Sequence, residues 1–464
     1  MQHPPRATRR RRPLTAVAAA IVVALSLAAV LVGAAPAGAH TGEQSYLYID
    51  VAESGLGGRI EVPISDLNTV LGLELAGDDN DVMTGVDAEL ERIHRYLGDH
   101  FTVGAGGETW PVTFAGAELF FSDLPEADDN YVYFSFTVDP GDRPVPRQLE
   151  IRFDPFFDEI DGRDGLLLIA NDWGGGVIDN GNEILTTYDD GARSQTIDLG
   201  DTSWVKTFTA SGKLGINHIQ TGPDHILFVL VLLLPSVLVF TSRWQPTPTF
   251  GSSLWRVLKI VTMFTVAHSI TFTLAGLDIL PLPSPRIVES IIAISIAAAA
   301  LHNIHPLAAN KEWAISFAFG LFHGMGFASL VSGLDVSRNT QLLSLLGRNV
   351  GIEIGQAIVV LLLFPALFLL RRTVYYRGFF VVASILLAAV SVGWMIERVL
   401  EVDLGVSTVV EPVVAWPRVL FLVAGLTVVA WALQRREAAA GRLVEVAPAA
   451  APETGGERVA ETIG

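Results

Sequence analysis

Histidines and carboxylates occur inside otherwise apolar segments in the second half of this chain of 464 residues. Ionisable groups at membrane depth are costly and usually serve a function. Imidazole combined with carboxylate, in a sequence without cysteine, suits nickel, cobalt, zinc, iron or manganese better than Cu(I). These residue types therefore predict a site for a divalent metal ion. The groups concerned are His218, His225, His268, His302, His305, His323, Asp224, Glu289 and Glu353.

The elements that must position these groups are apolar stretches of membrane-spanning length. Seven helices are predicted, over residues 223–240, 255–279, 287–305, 312–333, 346–370, 377–396 and 417–434. Lysine and arginine cluster in alternate connections, a bias that marks the cytoplasmic side. These connections carry Arg243, Arg256, Lys311, Arg371, Arg372, Arg377, Arg435 and Arg436. The sequence thus predicts a multi-pass protein of the cell membrane, with its first half outside and its C-terminus cytoplasmic.

This topology places ligand-capable side chains of five helices in the outer half of the membrane. We predict that they form one metal site, with His218 able to fold back over it because His218 precedes the break at Gly222-Pro223. The predicted ligands are His218, Asp224, His225, His268, His323 and Glu353. Asp224 has an alternative role as a capping carboxylate, because residues 221–224 have the pattern of a helix start with Thr221 as N-cap.

The fifth predicted span carries a polar stripe with the spacing i, i+4, i+7, formed by Asn349, Glu353 and Gln356. An alternative to metal binding is a hydrogen-bonded seam between helices. Gly351 and Gly355 lie on the adjoining face as a G-x-x-x-G pair, which predicts close approach of a neighbouring helix.

Six further residues are predicted to support the ligands or to line the ion's path. They are Glu289, His302, Asn303, His305, Asn349 and Gln356. His302 and His305 fall at the cytoplasmic end of the third predicted span. They form either an exit site or an interfacial pair.

The N-terminus has the features of a secretory signal peptide over residues 1–39. A cationic start with Arg9–Arg12 precedes the apolar run Leu14–Gly33 and the cleavage pattern Ala37-Gly38-Ala39. The alternative is an uncleaved membrane anchor. Cleavage would make His40 the mature N-terminus, whose amine and imidazole are a candidate copper(II) chelate.

Residues 40–205 are predicted to form an acidic, extracytoplasmic β-rich domain. Between Thr41 and Trp204 there are 34 acidic and eight basic residues, which argues against binding to nucleic acid. Alternating apolar and polar residues predict strands at 45–51, 58–64, 131–138, 148–153 and 166–170, and the apolar face of Asp87–Leu97 predicts a helix. We expect an antiparallel sandwich of the immunoglobulin-like kind. The acidic stretch Asp154–Asp164 is either solvated surface or a calcium site.

The fold class predicted for the whole chain is therefore a seven-helix transmembrane bundle, residues 206–436, preceded by the sandwich-like domain. Residues 437–464 are rich in Ala, Glu, Pro and Gly and are predicted to be a disordered cytoplasmic tail.

Four motifs follow one another in order: GINHIQTGPDHILF at 215–228, TVAHSITFTL at 265–274, FGLFHGMGFAS at 319–329 and NVGIEIGQ at 349–356. They resemble the HupE/UreJ family of membrane proteins, which are associated with hydrogenase and urease maturation. The long first half resembles the branch of that family with an extracytoplasmic N-terminal domain. The resemblance implies a permease for nickel or cobalt.

Within this resemblance, His218, Asp224 and His225 match the first metal motif and His323 matches the second. The family pattern has a further histidine and a glutamate after the His-Gly pair, where this chain has residues 325–327, Met-Gly-Phe. Glu353 is the candidate for the missing carboxylate.

Three functions stay open at this point. The first is a permease for a divalent metal ion, nickel or cobalt, with zinc as an alternative. The second is an intramembrane zinc-dependent hydrolase, because histidines and an aspartate around zinc can activate water. The third is a sensor or partner-binding β domain anchored by a passive bundle. The first predicts no enzymatic activity.

Overall fold

The computed structural model describes residues 44–52, 55–120, 131–141, 143–181, 183–306, 311–326, 337–414 and 416–447. Its contacts divide the chain into two compact units. The first comprises residues 1–218, 269–282 and 327–352, and the second comprises residues 219–268, 283–326 and 353–464. The predicted signal peptide and His40 lie outside the described residues, as does the tail beyond residue 447.

The first unit contains a β-rich domain. Its strands are β1 Gln44–Val51, β2 Leu56–Pro63, β3 Phe101–Ala105, β4 Glu108–Thr109, β5 Val112–Phe120, β6 Tyr131–Val138, β7 Gln148–Phe153, β8 Asp164–Asp172, β9 Thr186–Tyr188 and β10 Ser194–Asp198. A six-stranded sheet has the order β5-β6-β2-β1-β8-β9, and a four-stranded sheet has the order β10-β7-β3-β4. One hydrophobic core takes side chains from both sheets, including Ile60, Phe134 and Ile151. The domain is therefore sandwich-like, as predicted.

The prediction of a wholly antiparallel sandwich is wrong. Strands β1 and β8 pair in parallel, with Leu47 opposite Leu167. Both strands have long runs of buried residues. Such continuous burial is typical of strands that are covered on both faces, as in parallel sheets. An alternating apolar and polar pattern, which identifies strands with one exposed face, therefore does not indicate this pairing.

Three helices accompany the sheets: α1 Ile64–Leu71, α2 Asp79–Ala88 and α3 Leu90–His100. The helix predicted over Asp87–Leu97 corresponds to α3, with Ile93 and Leu97 buried as expected, but it begins three residues later. Asp87 and Ala88 belong instead to α2. The N-cap of α2, Asp78, accepts a hydrogen bond from the Asp81 amide at 3.0 Å.

The start of the acidic stretch is an internal ion-pair centre. The Asp154 carboxylate is completely buried, and it lies 2.8 Å from Arg152, 3.5 Å from Arg193 and 3.4 Å from the His100 ring. Arg193 also binds Asp158 at 2.8 Å. The buried negative charge is thus compensated by arginine, which is the usual condition for such burial.

Apolar composition produces the helices of the second half. They are α4 Trp204–Thr221, α5 Pro223–Ser236, α6 Phe250–Gly276, α7 Pro285–Ile304, α8 Glu312–His323, α9 Arg338–Leu370, α10 Tyr376–Leu400, α11 Val406–Val414 and α12 Trp416–Ala439. A short hairpin, β11 Leu238–Phe240 with β12 Trp244–Pro246, follows α5. Among the described residues, five helices are long and apolar enough to cross a membrane, or six if the bent pair α4–α5 is one span. The helical part is thus that of a membrane protein, while the predicted number of seven spans is not confirmed.

The differences from the predicted spans are local. Helix α8 is described only to His323, with turns to residue 326, and the rest of the predicted span 312–333 lies outside the described residues. At the other end, α12 runs to Ala439, and the Ala447 amide donates to the Pro246 carbonyl at 2.9 Å. Helix α12 therefore extends past the predicted start of the tail at 437, and the structure describes the chain as far as residue 447.

The break at Gly222-Pro223 is present as a bend of 72° between α4 and α5. Thr221 is not the N-cap, because residues 204–221 already form a helix and Thr221 is its last residue. Gly222 is the N-cap of α5 and Pro223 its first residue, which places Asp224 in the first turn. A carboxylate there is stabilised by the positive end of the helix dipole.

A tyrosine in the β domain predicts a loss of stability in alkali. Burial, with a contribution from Glu61, raises the pKa of Tyr48 to about 12, above the value of about 10 for an unfolded chain. Between these two pH values the unfolded tyrosine ionises first, so the free energy of unfolding falls as pH rises through this window. We expect Tyr48→Phe to reduce that slope, measured by urea unfolding of the detergent-solubilised protein. The exposed Tyr375, replaced by Phe, is the control. An unchanged slope in Tyr48→Phe would contradict the assignment.

Candidate metal centre

Three of the predicted ligands come together in the second unit. His225 on α5, His268 on α6 and His323 on α8 are all completely buried. The ring of His225 lies 6.0 Å from that of His323 and 6.3 Å from that of His268, measured between centroids. Three helices distant in sequence therefore contribute one imidazole each to a single cluster, which we call the histidine cluster.

Hydrogen bonds fix the orientation of two of these rings. His323 Nδ1 donates to the Phe319 carbonyl at 3.0 Å, so the neutral ring carries its lone pair on Nε2. That Nε2 is buried and has no hydrogen-bond partner among the described residues. His225 Nδ1 lies 3.1 Å from Asp224 Oδ1, the arrangement in which a carboxylate orients a metal-binding histidine. The structure thus shows Asp224 supporting His225.

A glycine brings α8 close enough to α6 for the cluster to form. A Cβ on Gly320 would lie 2.4 Å from the Phe264 carbonyl oxygen and 2.9 Å from the Ala267 Cβ. One turn earlier, Ser316 Oγ donates to the Ile260 carbonyl at 3.0 Å. Small residues at helix crossings permit this close packing, and it places His323 beside α6.

Three phenylalanines pack next to the histidine cluster, one on each of the same three helices. The ring of Phe228 lies 4.6 Å from that of Phe264 and 6.5 Å from that of Phe319. The His323 ring contacts this group, 4.9 Å from Phe264 and 5.2 Å from Phe228. None of the three was among the predicted site residues. The sequence pattern that could have indicated them is a phenylalanine one helical turn away from each of the three histidines.

Two residues of the polar stripe of α9 accept hydrogen bonds from threonines of α6. Thr262 Oγ1 donates to Glu353 Oε1 at 2.6 Å, and Thr265 Oγ1 donates to Gln356 Oε1 at 2.9 Å. The second carboxylate oxygen of Glu353 is buried and has no hydrogen-bond partner among the described residues. These bonds correspond to the hydrogen-bonded seam that was the alternative for the stripe.

Two predicted site residues belong to the first unit. His218 lies near the end of α4, and Asn349 lies buried on the first half of α9. The glycines of α9 pack there as predicted, since a Cβ on Gly351 would lie 2.0 Å from the Gly212 carbonyl oxygen.

Glu289 is engaged in an ion pair on α7. Its Oε2 lies 2.9 Å from Arg398 Nε on α10, and both side chains are substantially exposed. A second pair joins the same helices, with Arg286 2.6 Å from Glu401. The partner of Glu289 in this structure is thus an arginine.

The side chain of Asn303 replaces a backbone hydrogen bond that α5 lacks. Pro235 has no amide hydrogen, so the Val231 carbonyl four residues earlier lacks its helical donor. The Asn303 side-chain amide donates to that carbonyl at 2.9 Å. The neighbouring His305 is exposed, whereas His302 is partly buried and lines a small cavity.

The histidine cluster has the right chemistry for a metal ion but a slightly open geometry. A tetrahedral ion holds each ligating nitrogen at about 2 Å, which puts two ligating rings roughly 5 Å apart between centroids. The observed separations of 6.0 and 6.3 Å are wider. Across the described ranges, no group of three His, Asp or Glu side chains is arranged to hold a metal ion.

Comparison with known proteins relates one part of the chain to a family. Residues 193–398 match the family model described as "HupE / UreJ protein". Searches of curated proteins and of solved structures found no match. The matched range contains all three histidines of the cluster, and its family suggests a metal accessory or transport role. The predicted resemblance is therefore confirmed over residues 193–398, which are similar to the HupE/UreJ family.

Proposed function

We propose that this protein is a membrane permease for a divalent transition-metal ion of the nickel or cobalt type. The observation that carries the proposal is the meeting of three completely buried histidines from three apolar helices. Buried polar groups without structural partners are rare, because burial of an unpaired polar atom costs free energy. The unpartnered Nε2 of His323 is such a group, and a metal ion supplies the partner it lacks. The family match favours transport or an accessory role over hydrolysis.

In this proposal the ion is bound by His225, His268 and His323, with Asp224 orienting the first and adding negative charge. Neutral imidazole is a preferred ligand of nickel, cobalt and zinc and a poor one for magnesium or calcium. The rings need to approach by about 1 Å to coordinate an ion together. Such closure accords with a site that changes geometry during transport.

The proposed orientation follows from the basic connections of the sequence. The β domain is outside the cytoplasmic membrane and the C-terminus is cytoplasmic. Helix α5 then begins at the outer side, which places His225 in the outer half of the membrane. The acidic β domain would raise the local concentration of cations on that side.

The proposal is tested by ion flux into proteoliposomes that contain a fluorescent metal indicator. We expect the purified protein to conduct Co²⁺ and Ni²⁺ at least about tenfold faster than Mg²⁺ or Ca²⁺, because imidazole discriminates between these groups of ions. Vesicles without protein give the background. Flux of Co²⁺ and Ni²⁺ equal to that background, from protein that binds and folds normally, would refute the permease.

A further inference from the structure

The second unit holds a partly open cavity of about 30 Å³ among α5, α6, α7 and α8. This volume accommodates one or two atoms of the size of a water molecule or a metal ion. Five polar residues are among those that line it: Ser236, Arg256, His302, Asn303 and Glu312. Most of the cavity wall is apolar, and these side chains supply its polar part. Polar side chains placed among apolar helices cost desolvation energy unless they have partners.

The charged groups of this cavity neutralise each other. Arg256 Nη2 lies 2.7 Å from Glu312 Oε1, and Arg256 Nη1 donates to the Leu238 carbonyl at 3.1 Å. Glu312 is buried. His302 lines the same cavity. The cavity therefore contains an imidazole and a carboxylate, which are ligands for a divalent transition metal, and an arginine that compensates the carboxylate.

The cavity lies in line with the histidine cluster. The same three helices line both, and on each helix the two sites are seven or eight residues apart: His225 and Leu232, Ile260 and His268, Ile315 and His323. At 1.5 Å per residue, this spacing corresponds to about 12 Å. On all three helices the cavity is displaced towards the same end, which the proposed orientation makes the cytoplasmic end.

The layer of phenylalanines separates the two sites. Phe228, Phe264 and Phe319 each lie between the histidine and the cavity residue of their own helix, and the ring of Phe228 packs against the other two. A hydrated ion does not pass such a layer while it is closed, since apolar constrictions exclude water.

We propose that the cavity is a second binding station for the transported divalent cation, with His302 and Glu312 as its ligands, reached from the histidine cluster through the phenylalanine layer. In the present conformation, Arg256 holds Glu312 and keeps the cation out. The ion enters the station when the phenylalanine layer opens and Arg256 leaves Glu312. This inference rests on the proposed transport function.

The first test is the amount of Co²⁺ bound by Arg256→Gln in equilibrium dialysis. Removal of the guanidinium leaves a buried carboxylate beside His302 without its counter-charge, and such a site attracts a cation. We expect Arg256→Gln to bind one more equivalent of Co²⁺ than the unmodified protein. Addition of His302→Gln should remove that equivalent, whereas addition of Ser242→Ala, at an exposed polar residue between β11 and β12, should not. Equal binding by Arg256→Gln and the unmodified protein would overturn the station.

The second test keeps Arg256 and so does not depend on the folding of that variant. Co²⁺ flux is compared between His302→Gln and the control Ser242→Ala in proteoliposomes. We expect the first to lower flux at least about tenfold, the order of a lost ligand contribution, while binding at the histidine cluster stays within about twofold of normal. Equal flux in the two variants would contradict the station.

The phenylalanine layer has its own matched pair on α8. Phe319→Ala opens the layer, and we expect faster Co²⁺ flux than in Phe322→Ala, whose side chain is exposed on the same helix. Equal Co²⁺ flux in the two variants would show that the ion does not cross the phenylalanine layer.

Failure of the permease proposal looks different from failure of the second station. If the unmodified protein binds no Co²⁺ but Arg256→Gln binds one equivalent that His302→Gln abolishes, the station stands and the histidine cluster does not. If the unmodified protein binds and conducts Co²⁺ while the His302 variants change nothing, the cluster stands and the station does not.

Discussion

Replacement of His225 and His323 together by alanine should weaken Co²⁺ binding at least 100-fold, by about 3 kcal/mol or more. The expectation follows from geometry, because these two rings lie 6.0 Å apart and have their Nδ1 atoms held by Asp224 and Phe319. Each substitution removes a nitrogen that only the cluster can supply. Loss of groups that merely orient a ligand already costs about 10- to 100-fold in metal affinity.

The measurement is equilibrium dialysis of the detergent-solubilised variant against Co²⁺, with His305→Ala as the control. His305 is on the surface, so its variant should bind as the unmodified protein does. Asp224→Asn should give an intermediate loss, because it weakens the orientation of His225 but leaves the ring in place. Undiminished binding by the double variant would rule out the histidine cluster as the site. A thermal unfolding curve confirms that the variant is folded.

Gly351→Ala should lower the unfolding temperature of the protein by several degrees. The added Cβ would lie 2.0 Å from the Gly212 carbonyl oxygen and 3.0 Å from the Gly212 Cα. A backbone cannot rotate away as a flexible side chain can, so α4 and α9 must separate, and overpacking of this kind costs about 1–3 kcal/mol. Gly347 and Gly215 make similar contacts with Phe208 and Arg348 in the same unit.

The matched control is Gly425→Ala in α12, where nothing lies within 4 Å of the added Cβ. Alanine is the better helix former by up to about 1 kcal/mol, so this variant should be unchanged or slightly more stable. Both unfolding temperatures are measured in the same detergent by intrinsic fluorescence. An equal effect of the two substitutions would show that α4 and α9 are not held by this glycine contact.

Part of the fold was predictable because it depends on local composition. The strand at 131–138 alternates in burial and was placed at its observed bounds. The parallel pairing of β1 with β8 was not predictable, because both strands are buried along most of their length and periodicity does not indicate their partners. Likewise, Thr221 looked like an N-cap because nothing in residues 221–224 reveals that a helix already precedes them.

For the candidate site, too, some features were predictable from the sequence and others were not. The sequence by itself determined the chemistry: the residue types of His225, His268 and His323, the apolar helices that carry them, and the family motifs. Hydropathy determines how far along a helix axis a residue lies. It does not determine how each helix is rotated about its axis, because rotation depends on close contacts such as Gly320 against Phe264.

Only the tertiary structure decided which predicted groups meet. It joined the three histidines, directed Glu353 to Thr262 and Glu289 to Arg398, and placed three phenylalanines between the histidine cluster and the cavity of His302. Carboxylates at membrane depth have several stabilising partners available, including threonine hydroxyls, arginines and metal ions. The packing of particular helix faces selects among them, and that selection is a property of the whole bundle.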